Sequence, residues 1–142
     1  MLNMNLRSDE DFLYKQLGAA LVNNRTEVDE IIDVLTNRGG GVRLVDNGRI
    51  YYNPGQHGSP GEIVMDKNAS IGAWRHEYRH FLDDEAENFP GLRVMADPDK
   101  YWEREYNGYM EEYELAKSIN RKDIMEEIVK RMEARKNEIY SG

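Results

Sequence analysis

The 142 residues predict a single α+β domain, mainly helical, with a small β-sheet packed on one of the helices. Three observations predict it. Apolar residues recur at helical spacing through most of the chain, while between residues 41 and 66 the pattern shortens to β-favouring clusters broken by Gly, Asn and Pro. A length of this order also buries most of one apolar core. Hydrophobic residues make up 39% and charged ones 32%, so the chain is polar yet too rich in aliphatic and aromatic side chains to stay disordered.

Residues 1–38 read as a helical cover. Phe12, Leu13, Leu17, Ala20 and Leu21 set one helix over 9–22, with Ser8 as its cap. A second starts near Thr26, buries Val28, Ile31, Ile32, Val34 and Leu35, and stops at Gly39-Gly40-Gly41. Residues 41–66 read as the sheet. Val42, Leu44 and Val45 lead through Asp46-Asn47-Gly48 to Ile50-Tyr51-Tyr52, the pattern of a β-hairpin around a tight turn. The Gly- and Pro-dense stretch 53–61 reads as a mobile loop at a rim or lid, and 62–66 as a short strand. Asn68 or Ser70 then caps a helix spanning 69–85. The C-terminal helices fill 97–140: Asp97-Pro98 opens one that runs to about Ser118. The last starts near Arg121 with Ile124, Ile128, Val129 and Met132 on one side.

Acidic residues outnumber basic ones 27 to 19, and the basic ones are scattered. The net charge of -8 argues against a nucleic-acid backbone or an anionic membrane as partner, and favours cations. With no cysteine, a transition-metal site must be built from His and carboxylate. No apolar run approaches the roughly 20 residues that span a bilayer, and the N-terminus lacks the order of a signal peptide, so a cytoplasmic location is expected.

The chemistry concentrates at His76-Glu77-Tyr78-Arg79-His80. Residues four apart share a helix face, so the two imidazoles can converge on one zinc ion. Glu77 is rotated by about 100° from His76, which lets its carboxylate reach a water rather than the metal. Ile71, Ala73, Trp74, Phe81 and Leu82 supply the apolar surface around this helix, with Trp74 and Phe81 read as core.

A strand, a helix bearing H-E-x-x-H and a later helix with an acidic residue resemble the zincins. The stretches 71–83 and 102–113 look like compact zincin domains of phage structural proteins and bacterial polymorphic toxins. The resemblance covers about 62–117 and implies a zinc-dependent peptidase acting on a protein or peptide substrate. Zinc would be the cofactor, Glu77 the general base, and a phage-derived chain would be virion-associated. Strand 62–66 would then be the edge along which an extended peptide pairs.

Catalytic zinc usually takes three protein ligands. Among Glu103, Glu105, Glu111, Glu112 and Glu114, the stripe Trp102, Glu105, Tyr109, Glu112, Ala116 is the inward one. Glu105 is the expected third ligand, since in the zincins it resembles that glutamate opens an E-x-x-A or E-x-x-G step, matched by Gly108. Glu112 is the reserve, and a glutamate ligand makes the set gluzincin-like. Glu103, Glu111 and Glu114 read as solvated. Asp83 and Asp84 are candidates to orient a ligand histidine, and Arg75 and Arg79 to pair with nearby acids. His57 reads as a surface histidine, with contact to substrate or metal on loop closure as the alternative. Tyr101, Tyr106, Tyr109 and Tyr113 read as mostly core, one of them available to a developing oxyanion.

Two rivals stand beside this reading. One is a zincin fold that binds metal or peptide without turnover. The other is a helical protein-interaction domain in which the motif is a coincidence of solvated side chains.

Overall fold

The computed structural model describes residues 6, 7 and 10–141. β1 (Leu6–Arg7), α1 (Tyr14–Leu17), α2 (Ala20–Asn23) and α3 (Arg25–Asn37) lead into β2 (Gly41–Val45), β3 (Arg49–Asn53) and β4 (Glu62–Asp66). Then come α4 (Ile71–Ala86), a 3-10 helix (Gly91–Ala96), α5 (Pro98–Ser118) and α6 (Lys122–Ser141). The class is α+β and mainly helical, as the periodicity predicts. None of the described helices is long and apolar enough to cross a membrane.

The sheet departs from the expected hairpin. Its order is β1-β3-β4-β2, so β2 and β3 do not pair; β4 lies between them, parallel to β2 and antiparallel to β3. The reason is apolar surface. β4 carries Ile63, Val64 and Met65, all buried, and takes the position covered on both edges, while β2 is largely half-buried or exposed. The Asp46-Asn47-Gly48 connection therefore spans a strand's width, and the end of β4 fills the gap. Asp66 accepts from Gly48 N at 2.7 Å and from Asn68 N at 2.8 Å, and Lys67 N donates to Val45 O at 2.7 Å. With both edges paired, β4 is not the edge strand expected to receive a peptide.

The expected helix over 9–22 is two short ones, broken where Gly18 adopts φ 68°. A tertiary bond competes successfully there: Ala20 N donates to Ala69 O at 2.8 Å instead of continuing a helical ladder. The Ser8 cap falls outside the described residues. Nearby, Asp11 accepts from Ser70 N (2.7 Å) and Ser70 Oγ (2.6 Å), which fastens the N-terminal segment to the start of α4. Ser70 thus occupies the N-cap position, but its hydroxyl serves Asp11 rather than the helix.

Ile71, Ala73, Trp74 and Phe81 bury the apolar side of α4 between the sheet and α5. α5 starts as expected, with Asp97 accepting from Asp99 N at 3.0 Å and Pro98 in its first turn. On α6, Ile124, Ile128, Met132 and Ile139 face inward, but Val129 is 40% exposed, because the residue after Ile128 lies about 100° round the helix. Arg135 takes a place on the inward stripe instead.

Candidate metal centre

α4 places His76 and His80 one turn apart, with ring centroids 4.8 Å apart and planes at 83°. α5 brings Glu105 to them. Its Oε1 lies 2.9 Å from His80 Nε2 and 3.9 Å from His76 Nε2, and the donor atoms of His76, His80 and Glu105 all fall within 4.8 Å of one another. Gly108 permits that approach. A Cβ at this position would stand 2.7 Å from His76 Nε2 and 2.8 Å from Cδ2, so any larger residue would push the imidazole or the helix away.

The cluster is sealed. His76, Glu77 and His80 are 0% exposed and Glu105 is 2% exposed, so neither histidine is a solvated group on an acidic face. Inside it, His76 Nε2, both ring nitrogens of His80, both oxygens of Glu77 and Glu105 Oε1 find no partner in hydrogen-bonding geometry among the described residues, the 2.9 Å approach of His80 Nε2 to Glu105 Oε1 being an ion-pair contact. Buried polar atoms are ordinarily paired, because each one left alone costs about 1–3 kcal/mol. Five of these atoms, all but His80 Nδ1, lie around one space, and the two imidazole Nε2 atoms with Glu105 Oε1 fit a divalent cation held by His76, His80 and Glu105. Glu77 lies beside them, 3.9 Å from His76 Nε2 and 4.0 Å from His80 Nε2.

The surroundings fix these groups. Glu112 Oε2 lies 2.7 Å from His76 Nδ1, so the second α5 carboxylate of the inward stripe holds the ring rather than facing the donor cluster. With Nδ1–H donating to Glu112, Nε2 keeps its lone pair for a ligand. Tyr109 sets its ring edge-on to His76 at 4.7 Å, and its buried hydroxyl has no partner. From α6, Arg135 Nε donates to Glu105 Oε2 at 3.1 Å.

Electrostatics follow from burial. Burial pushes the Glu77 carboxyl up to about 8, the charge of His76 only partly offsetting it. Burial also raises Glu112. For His76 burial acts downward, but the carboxylates of Glu77, Glu105 and Glu112 outweigh it and hold the imidazole well above its ordinary range. For His80 burial prevails and lowers it. Glu105, raised by burial alone, is held well below the carboxylate range by the two histidines facing it. Without a metal, protons on His76 and Glu77 together with the Arg135 guanidinium balance the charge of this dry space, and a divalent cation would take the place of the protons.

The remaining expected residues separate. Asp83 and Asp84 hydrogen-bond neither histidine. Asp84 accepts from Tyr52 OH at 2.6 Å and lies 3.5 Å from Arg104, while Asp83 accepts from Asn107 at 3.0 Å, so the orienting carboxylate is Glu112 instead. Arg75 pairs with Glu27 through both ends of its fork, at 2.7 and 2.8 Å, and Arg79 with Glu111 at 3.1 Å. Glu103 and Glu114 are exposed, as expected; Glu111 is half-buried in its ion pair. His57 is exposed in a loop that packs on the segment after α4, where Gly58 N donates to Phe89 O at 2.6 Å. Tyr101 and Tyr109 are core, Tyr113 is half-buried and Tyr106 is exposed. Sequence reasoning missed Arg135, although its place in the series Ile128, Met132, Arg135, Ile139 was a signal: a charge on an apolar stripe.

Compared with protein-family models, curated proteins and solved structures, the chain matches none.

Proposed function

We propose that the chain is a zinc peptidase of the gluzincin type, in which His76, His80 and Glu105 hold the metal and Glu77 is the general base. The observation that carries this reading is the convergence of their unpartnered atoms, with the Glu77 carboxylate about 4 Å from both histidines. When bound, the ion would supply Lewis acidity toward a peptide carbonyl and toward water. Glu77 would accept a proton from the attacking water and return it to the leaving nitrogen. Its burial raises its proton affinity, which makes it a stronger base for the first transfer, while a neighbouring cation favours the ionised form that transfer needs. Tyr109, whose ring packs edge-on against His76 and whose buried hydroxyl has no partner among the described residues, would donate to the developing oxyanion.

A second reading has its own support. Glu77 is wholly buried, so a substrate carbonyl reaches it only if the covering elements part; a fold that holds metal without turnover needs no such opening. Cleavage of denatured casein by the zinc-loaded protein tests the two. Hydrolysis by the wild type that falls about 1000-fold or more in Glu77→Gln, with zinc still bound, supports the peptidase. Equal rates in the two proteins would remove Glu77 from the mechanism. Zinc binding without cleavage by the wild type would leave the non-catalytic reading.

A further inference from the structure

Arg135 is 6% exposed and comes from α6, a helix that contributes none of the proposed metal ligands. Each of its three guanidinium nitrogens has its own partner. Nε donates to Glu105 Oε2 at 3.1 Å, Nη2 to Tyr101 OH at 2.8 Å and Nη1 to Glu138 Oε2 at 3.0 Å, with the guanidinium 5.5 Å above the Tyr101 ring. A planar fork held at every nitrogen is fixed in position and direction. The two oxygens of Glu105 are thereby made unequal. Oε2 is occupied by Arg135, and Oε1 faces the imidazoles, 2.9 Å from His80 Nε2 and 3.9 Å from His76 Nε2.

That inequality bears on coordination. A carboxylate can give a metal one oxygen or two, and a second oxygen would fill the position that a catalytic zinc leaves open. We infer that Arg135 is a positioning residue of the metal centre: it holds Glu105 Oε2 so that only Oε1 is offered to the ion, which keeps the coordination number low and the last position free. The inference rests on the metal-centre reading above. A purely structural α5–α6 ion pair predicts something different, since its loss would lower the stability of the fold without touching the affinity or geometry of the bound ion.

The test uses the full chain with Zn²⁺ or Co²⁺ as the probe, in the wild type, Arg135→Met, Arg135→Lys and Tyr101→Phe. Zinc affinity is read by competition with a chromophoric chelator, and coordination by the visible absorption of Co²⁺, which is intense for four ligands and weak for six. Arg135→Met is expected to weaken zinc binding about 10- to 100-fold and to reduce the Co²⁺ bands. Arg135→Lys, which keeps the charge but not the fork, falls between, and Tyr101→Phe shifts the bands the same way by less. If Arg135→Met does not fold, the other two variants decide. Variants that melt earlier but bind zinc as tightly as the wild type, with the same Co²⁺ spectrum, would overturn the inference alone. A wild type that binds neither ion would overturn it together with the metal-centre reading.

Discussion

Glu105 and Glu112 leave α5 seven residues apart, on one face, and the structure gives them different tasks. Glu105 Oε1 faces both histidine Nε2 atoms, whereas Glu112 reaches the far side of His76, 2.7 Å from Nδ1. Replacing Glu105 by Ala removes a donor; replacing Glu112 by Ala frees a ring to rotate and to change tautomer. Glu112→Ala is therefore expected to weaken zinc binding about 10- to 100-fold, Glu112→Gln less because its amide oxygen still accepts from Nδ1–H, and Glu105→Ala most of all. Titration calorimetry with Zn²⁺ reads the order. An affinity for Glu112→Ala equal to that of the wild type would mean that the ring is held by its packing against Tyr109 and Gly108 instead.

The decisive contact between elements is α4 against α5, and Gly108 sets its spacing. A Gly→Ala change inside a helix ordinarily gains up to about 1 kcal/mol from backbone entropy. Here the added methyl would meet three atoms of the His76 ring at 2.7, 2.8 and 3.0 Å, so the sign reverses. Gly108→Ala is expected to destabilise the metal-free fold by about 1–3 kcal/mol, the usual range for overpacking, and to weaken zinc binding as the ring is displaced. Urea midpoints without and with Zn²⁺ separate the two effects. A more stable variant with unchanged affinity would show that the helices part without cost.

Across the whole molecule, the proposed ligands join two helices whose facing surfaces carry ionisable groups into the core. The chain ends are drawn in around them: Asp11 grips the start of α4 through Ser70, and Arg131 of α6 donates to Glu10 at 2.6 Å. A cation bound only by the folded chain stabilises it by mass action, by about 4 kcal/mol when free metal is a thousandfold above Kd. Removing metal with a chelator should lower the melting temperature, and adding Zn²⁺ back should restore it. His76→Ala should melt at the same temperature with and without the ion. A wild-type melting curve indifferent to both treatments would speak against a metal bound in the folded state.

Much of this was legible from side-chain periodicity. The i, i+4 pair His76 and His80, the inward stripe with Glu105 and Glu112, and the Asp97-Pro98 helix start all follow from 3.6 residues per turn, a property of the local backbone. The β-strands were legible as strands but not in their order, because pairing is decided by which strand most needs covering on both edges, and β4 outcompeted the local turn signal at Asp46-Asn47-Gly48. The break at Gly18 likewise came from a carbonyl at Ala69, some fifty residues away. The sequence by itself determined the helices and the faces on which His76, His80, Glu105 and Glu112 lie, with either glutamate left as the candidate third ligand. Only the tertiary structure decided that Glu112 holds His76, that Arg135 holds Glu105 and that the cluster is shut from solvent, because those facts depend on which faces of α4, α5 and α6 meet, and that is settled by packing across the whole chain.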